Sequence, residues 1–470
     1  MTGPAIDLRA LARDRPVHFM GVGGAGMYPL AELLLRSGGL VSGCDVKDSR
    51  ELRDLRALGG TVSVGHDAEH ASGASALVVT AAVPSDHAEL VAARDAGIPV
   101  LKRSEALGAW VHAGTVVGIA GTHGKTTTTA MATEILAAAG KDPTGLVGGR
   151  VTAWAGNLRF GSQDLFVVEA DEYDRSFLML SPDVAVVTNL EADHLDVYGD
   201  LDGVRRGFLD FLAGVRGGGR VIVCADDHGA SALLPSIGPS GYTYGTAAGS
   251  MLRGTDVRVT SEAMRCTVYE EGRHVGELTI SMGGRHNLLN ALGAAAVARA
   301  LGVGWDTVFG ALAEFEGVAR RFERLGEVAG VVVVDDYAHH PTEIAAALHA
   351  ARAMFDARRL VAVFQPHLFS RTRDFARGFG EALAIADEVW ITDVFPAREA
   401  PIPGVSGRTI VDSVKAAGVR DVHYVPDVET LPDALGDAVR HGDVVFTLGA
   451  GSIEQVGPAL VEALKEPIHA

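Results

Sequence analysis

Residues 116–129 read VVGIAGTHGKTTTT, and this stretch decides the fold class. A short apolar run leads into the glycine loop GTHGKT at residues 121–126, and an alanine-rich segment of helical length follows at residues 130–139. A strand, a glycine loop and a helix in this order are typical of a phosphate-binding loop, because glycines let backbone amides close around phosphate oxygens at the helix N-terminus. Lys125 can reach terminal phosphates, and the Thr126 hydroxyl can ligate Mg²⁺. The stretch therefore predicts binding and hydrolysis of a nucleoside triphosphate.

This glycine loop is shorter than the standard phosphate-binding template. The template places a glycine five residues before the position of Gly124, where this chain has Ile119, and Gly118 comes one position too early. The loop is therefore a GxxGKT form. The alternative is a chance glycine turn in front of a helix.

Length and composition limit the class of protein. A chain of 470 residues is too long for one typical core and predicts about three domains. No apolar run reaches the roughly 18 residues that a membrane helix needs, and the N-terminus lacks the apolar core of a signal peptide. The formal net charge of −18 argues against a general nucleic-acid binder. The three cysteines, Cys44, Cys224 and Cys266, show no metal-ligand spacing, so we expect a cytoplasmic protein.

Strand and helix patterns alternate along the chain, which predicts an α/β fold. We expect a Rossmann-like N-terminal domain at residues 1–113, a central P-loop ATPase-like domain with a mostly parallel sheet at residues 114–316, and a Rossmann-like, doubly wound C-terminal domain at residues 317–470. The predicted strands lie at residues 17–20, 40–44, 76–80, 98–101, 116–120, 165–168, 184–188, 331–334, 360–364, 389–392, 422–425 and 444–448.

A second glycine motif, GVGGAGM at residues 21–27, follows the first predicted strand. Asp45 comes 19 positions after the last glycine of this motif, at the end of the next strand. Taken alone, this βαβ unit with its acidic residue favours a dinucleotide site. The alternative is a UDP-sugar held in the same pyrophosphate cradle. The GKT loop downstream favours that alternative, because hydride transfer does not need it.

Acidic clusters follow two predicted strands near the GKT loop. Glu169 and Asp171 come at the end of one strand, and their spacing of two predicts that they share a face. His194 follows the next strand, where it could ligate a second divalent ion while Asp193 or Asp196 orients it. Ligands bind at the carboxyl ends of parallel strands, and Mg²⁺ prefers oxygen ligands, so we expect a metal site here. The alternatives are a solvated acidic loop and a structural histidine.

Three further polar blocks stand where a strand meets a helix or loop. Asn287 and Asn290, three apart at a predicted helix start, could read adenine, or Asn287 could cap the helix. Residues 334–343, VDDYAHHPTE, end a strand, and helix capping does not account for their histidine pair. Arg371 and Arg373 are two apart on a predicted loop and suit carboxylate or phosphate capture; the alternative is surface salt bridges.

Taken together, these blocks resemble the Mur ligases of peptidoglycan synthesis. The resemblance covers nearly the whole chain, and eight blocks in order are far more specific than any single one. The blocks, in chain order, are GVGGAGM, GTHGKTTTT, EADEYDRSFL, NLEADHLDVY, GRHNLLNAL, RRFE, DDYAHHPTE and SRTRD. The DDYAHHPTE block and the GxGGxGM opening resemble the family member that adds L-alanine.

The resemblance implies an ATP-dependent ligase with UDP-N-acetylmuramate and L-alanine as substrates and with Mg²⁺ or Mn²⁺ as the metal. It implies that ATP converts the lactyl carboxylate into an acyl phosphate, which the L-alanine amine then attacks. Because an acyl phosphate needs protection from water, we expect the C-terminal domain to close over the central one. Either a monomer or a homodimer is compatible with the sequence, with no nucleic-acid partner and no membrane insertion.

The resemblance also implies roles for individual residues. Those expected at the nucleotide are Gly121, Thr122, His123, Gly124, Lys125, Thr126, Thr127, Asn287, Asn290, Arg321, Asp336 and Tyr337. Those expected at the other substrates are Gly23, Gly24, Ala25, Gly26, Met27, Asp45, His339, His367, Arg371 and Arg373. The expected metal ligands are Thr126, Glu169 and His194. The expected catalytic residues are Lys125, Glu169, His194, His340 and Arg371, with either His194 or His340 as the proton acceptor.

The chain has two features that bear on this assignment. Family members that add later residues carry a modified lysine after the block containing His194, and residues 195–219 contain no lysine, which fits the first member. Many relatives read His-Arg-Tyr-Ser-Arg where this chain has His367-Leu368-Phe369-Ser370-Arg371. With Leu368 in place of an arginine, carboxylate binding would depend more on Arg371 or Arg373.

Three rival functions are compatible with parts of this pattern. A recycling ligase that joins a whole tripeptide to the same sugar nucleotide would use the same nucleotide apparatus. An NAD-dependent dehydrogenase would explain the GVGGAGM motif but would leave the GKT loop without a role. A non-catalytic nucleotide sensor would bind ATP without turnover.

Overall fold

The computed structural model describes residues 6–80, 83–238, 241–397 and 399–465. These residues form three sheets. By their contacts the residues divide into two compact units, one made of residues 1–255, 267–276 and 289–315, and the other of residues 256–266, 277–288 and 316–470. Among the described residues, no helix combines the length and apolar character needed to cross a membrane.

The N-terminal sheet has five parallel strands. The strands are β1 (Val17–Met20), β2 (Val41–Asp45), β3 (Thr61–Val64), β4 (Ala76–Val79) and β5 (Val100–Lys102). They lie in the order β3-β2-β1-β4-β5, which is Rossmann-like. The helices around them are α1 (Leu8–Asp14), α2 (Tyr28–Arg36), α3 (Arg50–Ala57), α4 (Ala88–Asp95) and α5 (Arg103–Val111), with a short 3₁₀ helix at Ala68–Ala71.

The central sheet has ten strands. They are β6 (Thr115–Ala120), β7 (Thr144–Val151), β8 (Gly156–Arg159), β9 (Leu165–Glu169), β10 (Val184–Val187), β11 (Arg220–Cys224), β12 (Gly241–Gly245), β13 (Leu252–Val259), β14 (Met264–Glu270) and β15 (Arg273–Ile280). Their order is β15-β14-β13-β12-β11-β10-β6-β9-β7-β8, so β6, which leads into the GKT loop, lies between β10 and β9. Its helices are α6 (Lys125–Ala138), α7 (Leu195–Tyr198), α8 (Leu201–Ala213), α9 (His228–Ser231), α10 (Leu234–Ile237), α11 (Arg285–Ala300) and α12 (Trp305–Ala313), with 3₁₀ turns at Thr152–Trp154 and Tyr173–Met179.

The C-terminal sheet has six strands. They are β16 (Glu323–Val328), β17 (Val331–Asp336), β18 (Arg359–Phe364), β19 (Glu388–Ile391), β20 (Asp421–Tyr424) and β21 (Asp443–Leu448), in the order β16-β17-β21-β18-β19-β20. The helices are α13 (Pro341–Met354), α14 (Phe369–Asp374), α15 (Ala376–Leu383), α16 (Gly407–Ala416), α17 (Leu431–Ala438) and α18 (Val456–Ala463), with 3₁₀ turns at Val428–Thr430 and Ser452–Gln455.

Both faces of the C-terminal sheet are buried, which explains its apolar strands. Val332 and Val334 pack into one hydrophobic cluster, whereas Val331 and Val333 pack into a separate one. Alternate residues of a strand point to opposite faces, so a strand covered on both sides reads as a continuous apolar run. This alternation confirms the doubly wound arrangement predicted for this segment.

The α/β class and the three sheets confirm the predicted fold, with two corrections. The C-terminal sheet is not wholly parallel, because β16 pairs with β17 in the antiparallel sense. The central sheet contains seven strands, β7, β8 and β11 to β15, that the sequence pattern did not predict. Among these, β13 is exposed over residues 256–259, so it lacks the buried run that marked the predicted strands.

Candidate active site

The GKT loop is held in shape by close backbone approaches. Gly121 and Gly124 have φ angles of +145° and +80°, which favour glycine. A side chain at Gly121 would collide with the Thr188 hydroxyl, and one at Gly124 would collide with the Asn290 amide. Ile119 is buried in β6, so the turn begins only at Gly121. This explains why the loop is shorter than the standard template.

The residues that directly follow β10 hold the same loop in place through hydrogen bonds. Asn189 Oδ1 accepts a hydrogen bond from the His123 amide at 2.7 Å, and Thr188 Oγ1 donates to the His123 carbonyl at 2.6 Å. Thr122 Oγ1 accepts from the Glu191 amide at 3.0 Å. Thr188 and Asn189 were not predicted as part of the site, although their position after an apolar strand was a usable signal. The predicted Thr127 is buried in the first turn of α6, directly after the loop.

Lys125 lies among carboxylates. Its Nζ donates to the Gly121 carbonyl at 2.6 Å and to Glu172 Oε2 at 2.7 Å. Burial alone would lower the pKa of Lys125, but the carboxylates of Glu172, Asp171 and Glu169 together raise it above its usual value. Lys125 is therefore a firmly charged ammonium at the base of the loop. Glu169 and Asp171 were predicted from the sequence, whereas Glu172, the direct partner of this lysine, was not.

Thr126 and Glu169, two predicted metal ligands, lie side by side. Thr126 Oγ1 donates to Glu169 Oε1 at 3.0 Å, and Glu169 Oε2 accepts from the Gly148 amide at 2.6 Å. A hydroxyl and a carboxylate are hard oxygen donors, so this pair fits Mg²⁺. The strand β9 ends at Glu169, so Asp171 follows the strand and does not belong to it. Both carboxylates nevertheless line one cleft.

His194 lies close to the carboxylate that pairs with Lys125. Its Nε2 is 3.8 Å from Glu172 Oε1 and 3.8 Å from Asp193 Oδ2. The residue has a φ of +52° and directly precedes α7, and its ring meets that of Tyr173 edge to face at 5.1 Å. The structure thus brings His194 to the acidic side of the GKT loop. The side chain of Asp196 lies outside the described part of the chain.

The GVGGAGM loop is closed by the acidic residue predicted to serve it. Asp45 Oδ2 accepts a hydrogen bond from the Gly23 amide at 2.9 Å, and a Cβ on Gly23 would come within 3.2 Å of the same oxygen. Asp45 therefore shapes the loop. The side chain of Met27 is 1% exposed and belongs to the hydrophobic core, which corrects its predicted contact with substrate. It is buried because α2 begins at the next residue and packs this turn onto the sheet.

A cleft of about 320 Å³ within the first unit extends from the GVGGAGM loop to the end of β9. Its lining includes Gly26, Arg103, Glu169 and Asp171. Asn157 Nδ2 donates to the Ala25 carbonyl at 2.8 Å and so ties the central sheet to the GVGGAGM loop. Arg103 was not predicted, because an isolated arginine at a helix start carries no motif. The lining combines one cation with two carboxylates, and the size of the cleft is ordinary for a small-molecule site.

The two asparagines of α11 have different environments. Asn290 Oδ1 accepts from Thr128 Oγ1 at 3.2 Å and lies against Gly124 of the GKT loop. Asn287 is 2% exposed, and its Nδ2 donates to the Gly283 carbonyl at 2.8 Å just before the helix. The observed contact of Asn287 is thus the local one expected of a residue at a helix start.

The second unit gathers aromatic, imidazole and guanidinium groups at the end of β17. Tyr337 lies between two cations, with Arg320 and Arg321 at 5.2 and 5.0 Å from its ring centroid. His339 Nδ1 lies 3.0 Å from the Tyr337 carbonyl and 3.3 Å from Glu343 Oε2. Burial lowers the pKa of His339 to about 4, with Glu343 acting in the opposite direction, so this imidazole is neutral near pH 7.

Two residues of the same block have mainly structural contacts. Asp336 accepts from the amides of Phe322 at 2.7 Å and Ala338 at 2.8 Å, and burial raises its pKa to about 6. His340 is 7% exposed, precedes α13 and packs edge to face on Phe375. Asp336 therefore ties the start of β16 to the end of β17.

The segment after β18 contains a helix where a loop with two arginines was predicted. The ring of His367 stacks on Phe395 and lies 5.8 Å from the ring of His339. Arg371 and Arg373 lie on α14, where residues two apart do not share a face, so their prediction as a joint loop site is wrong. Arg373 pairs with its exposed neighbour Asp374 at 2.7 Å, as the surface alternative expected.

Models of known families match all three segments of the chain. The model described as "Mur ligase family, catalytic domain" matches residues 16–115, "Mur ligase middle domain" matches residues 119–298, and "Mur ligase, glutamate ligase domain" matches residues 320–451. The matched stretches follow the three sheets in order.

Individual relatives agree with these models. The chain is 45% identical to the UDP-N-acetylmuramate–L-alanine ligase of Solidesulfovibrio magneticus, covering 96% of this chain and 98% of that protein. The crystal structure of the UDP-N-acetylmuramate–alanine ligase of Thermotoga maritima superposes with a TM-score of 0.81 at 30% identity, covering 95% of this chain and 98% of that one. A murein peptide ligase from Psychrobacter arcticus gives a TM-score of 0.69 at 25% identity, with 97% and 100% covered. By this agreement over nearly its full length, the chain belongs to the Mur ligase family.

Proposed function

We propose that this protein is an ATP-dependent ligase that joins L-alanine to the lactyl carboxylate of UDP-N-acetylmuramate and releases ADP and phosphate. The observation that carries the proposal is the cleft lined by Gly26, Arg103, Glu169 and Asp171, because Glu169 also accepts a hydrogen bond from Thr126 of the triphosphate loop. The family membership and the relatives that bear this activity in their names support it. ATP is abundant in the cytoplasm, where we place the enzyme.

The GKT loop is the proposed site of the triphosphate. Lys125 is a charged ammonium at the loop, and the phosphates of ATP would replace part of its contact with Glu172. Backbone amides at the start of α6 add donors for the phosphate oxygens. Thr126, Glu169 and His194 are the residues that would hold Mg²⁺, which would neutralise charge on the transferred phosphoryl group.

The reaction divides into two balanced steps. A lactyl carboxylate oxygen attacks the γ-phosphorus, the bond to the β-phosphate oxygen breaks, and ADP leaves. The neutral amine of L-alanine then attacks the acyl carbon, loses a proton, and the carbon–oxygen bond to phosphate breaks. Positioning and charge neutralisation account for most catalysis of phosphoryl transfer, which is what Lys125 and the acidic strand end provide.

The remaining residues have proposed positions around these steps. The GVGGAGM loop, shaped by Asp45, would hold the UDP pyrophosphate, and Arg103 would add positive charge at the same end of the cleft. Tyr337, His339, His367 and Arg371 of the second unit would serve the amino acid and ATP. We propose His194 or His340 as the proton acceptor, and we keep residues 1–113, 114–316 and 317–470 as the three domains.

A tripeptide-adding ligase is the second candidate, because a murein peptide ligase shares the fold at 25% identity. The two candidates differ in the amino substrate alone. Purified protein incubated with ATP, Mg²⁺ and UDP-N-acetylmuramate, with either L-alanine or the tripeptide L-Ala-γ-D-Glu-meso-diaminopimelate, separates them by product mass. We expect the L-alanine adduct and no tripeptide adduct. The tripeptide adduct alone would replace the proposal with the second candidate, and no adduct in protein that binds ATP would contradict both.

A further inference from the structure

A cluster of metal-ligating side chains lies in the N-terminal sheet, outside the proposed active site. His18 on β1, Cys44 on β2 and Glu89 at the start of α4 bring one ligand atom each within 4.8 Å of one another. All three side chains are buried, at 1%, 0% and 0% exposure. His66, just after β3, adds a nitrogen beside the same sulfur and carboxylate. Three buried ligands from three separate elements thus converge on one point, and His66 approaches it from the exposed side.

The spacings among His18, Cys44 and Glu89, and those from His66 to Cys44 and Glu89, are close to the spacings of ligands around a tetrahedral ion. His18 Nε2 lies 3.6 Å from Cys44 Sγ and 3.9 Å from Glu89 Oε2, and Sγ lies 3.2 Å from that oxygen. His66 Nδ1 lies 3.2 Å from Sγ and 3.3 Å from Glu89 Oε1. Zinc bonds of about 2.0–2.3 Å place neighbouring tetrahedral ligands about 3.3–3.8 Å apart. The cluster needs only small adjustments to reach these values.

The surroundings of the ligands also suit a metal. His18 Nδ1 lies 2.9 Å from Ser42 Oγ on the neighbouring strand, and an Nδ1–H donating there leaves the Nε2 lone pair facing the sulfur. The Asp67 amide donates to Glu89 Oε1 at 2.8 Å and fixes the carboxylate. Such partners orient the ligands in metal sites and leave their metal-facing atoms free.

The charge of the buried carboxylate needs an explanation. Within the described ranges, every ion pair of Glu89 is with a histidine, namely His18, His66 and His70. His70 Nδ1 is itself buried and has no hydrogen-bond partner. Burying a carboxylate is costly unless a cation compensates its charge.

We propose that His18, Cys44, Glu89 and His66 form a structural zinc site. A thiolate and a carboxylate balance the two positive charges of Zn²⁺, and two neutral imidazoles complete the set, so the buried site is neutral overall. Binding breaks the S–H bond of Cys44, forms a Zn–S bond and releases the proton to solvent. The mixture of sulfur, nitrogen and oxygen ligands favours zinc over Mg²⁺, which prefers oxygen alone.

The site lies directly behind the GVGGAGM loop. The Cys44 carbonyl accepts hydrogen bonds from the amides of Gly21 at 2.8 Å and Val22 at 3.0 Å, and the next residue, Asp45, closes the loop at Gly23. An ion on the Cys44 side chain would therefore fix β2 beneath the loop. The inference is independent of the proposed ligase activity, since it concerns the stability of this sheet.

The test is metal binding by the full-length protein. Apo protein prepared with a chelator is titrated with ZnCl₂ in excess Mg²⁺, which occupies the proposed catalytic metal site, and bound zinc is measured by calorimetry and elemental analysis. We expect one tightly bound Zn²⁺ per chain, a higher Tm on zinc addition, and, with CoCl₂ as the probe, the near-ultraviolet absorption of a cobalt–thiolate bond.

Matched variants assign the ion to this cluster. Cys44→Ser should abolish the cobalt–thiolate band and lower zinc affinity at least 100-fold, whereas Cys224→Ser and Cys266→Ser, at the other two buried cysteines, should change neither. Glu89→Gln should weaken zinc binding while a weaker cobalt–thiolate band remains. If Cys44→Ser does not fold, the wild-type cobalt spectrum and zinc stoichiometry still decide. Folded wild-type protein that takes up no zinc, or zinc binding unchanged in Cys44→Ser, would overturn the proposal and leave a hydrogen-bonded thiol–carboxylate pair.

Discussion

The Lys125 ammonium lies 2.7 Å from Glu172 Oε2 in an ion pair whose side chains are 13% and 3% exposed. The Glu172 backbone is fixed in turn, because the Tyr198 hydroxyl donates to the Glu172 carbonyl at 2.7 Å. The lysine expected to contact the phosphates of ATP is thus held by a carboxylate. Glu172 keeps the ammonium oriented, and incoming phosphates compete for it.

This ion pair predicts that one substitution at Glu172 destabilises the protein without ATP but increases the stabilisation that ATP provides. Glu172→Gln should lower the free energy of unfolding without ATP by about 3 kcal/mol, because it leaves a buried cation short of its partner. It should also enlarge the rise in Tm on ATP addition, since the phosphates then supply the missing negative charge. Differential scanning calorimetry with and without ATP measures both.

The control for this variant is an exposed ion pair of similar length. Lys102 Nζ lies 2.9 Å from Asp174 Oδ2 with side chains 54% and 38% exposed. Asp174→Asn should cost no more than about 1 kcal/mol and should leave the effect of ATP unchanged. A rise in Tm for Glu172→Gln no larger than that of the wild type would contradict the account.

The pair of Thr126 and Glu169 predicts a specific metal dependence. Thr126→Val should raise the Mg²⁺ concentration needed for half-maximal phosphate release on the order of tenfold or more, because it removes a hard oxygen donor. Thr126→Ser should restore the wild-type dependence. Thr133→Val on the same helix removes a hydroxyl that donates to the Thr129 carbonyl at 2.7 Å, and it should leave the dependence unchanged. Equal Mg²⁺ curves for Thr126→Val and the wild type would remove Thr126 from the metal site.

A side chain at Gly124 should weaken ATP binding in addition to straining the backbone. Gly124 and Gly140 have φ angles of +80° and +71°, but only at Gly124 would a Cβ meet another group, the Asn290 amide. Both alanine variants should lose about 1–2 kcal/mol of stability from the left-handed backbone. Only Gly124→Ala should also lose ATP binding, measured by calorimetry. Equal ATP affinity in the two variants would show that the close approach to Asn290 is not needed.

The buried imidazole of His339 should make the folded protein less stable in mild acid. Burial lowers the pKa of its imidazole from 6.5 to about 4, so between these values the unfolded chain binds a proton that the folded chain does not. This residue therefore makes the free energy of unfolding fall as the pH falls from 6.5 towards 4. Urea unfolding at several pH values should show a shallower fall in His339→Gln. His349→Gln, at an exposed histidine of α13, should keep the wild-type slope, and parallel curves for His339→Gln and the wild type would contradict the burial argument.

The parts of the fold that the sequence predicted well are those with local signals. The apolar strands β1, β6 and β17 each end in a polar or glycine block, so both the strand and its functional end could be located. β13 could not, because its exposed residues follow no core-facing pattern. The antiparallel direction of β16 was equally hidden, since pairing direction depends on a partner strand and not on the strand itself.

The site residues that could be predicted are likewise those with a local signal in the sequence. Thr126 and Glu169 were predicted together because each belongs to a recognisable block. Arg103 and the zinc cluster were missed because their partners are distant in sequence: Cys44 lies 26 residues from His18 and 45 from Glu89. The absence of close cysteine spacing therefore said nothing about a ligand set assembled from four elements. Arg371 and Arg373 were misjudged for a local reason, since the segment forms a helix and not a loop.

We propose that the sugar-nucleotide carboxylate is activated by direct transfer of phosphate from ATP held at the GKT loop. UDP-N-acetylmuramate labelled with ¹⁸O in its lactyl carboxylate, incubated with ATP, Mg²⁺ and L-alanine, tests this most directly. An acyl phosphate requires the attacking oxygen to leave with phosphate, so the account predicts one ¹⁸O in each phosphate released, measured by mass spectrometry, and no release by Lys125→Ala. Phosphate free of ¹⁸O, formed along with the amide product, would contradict the claim.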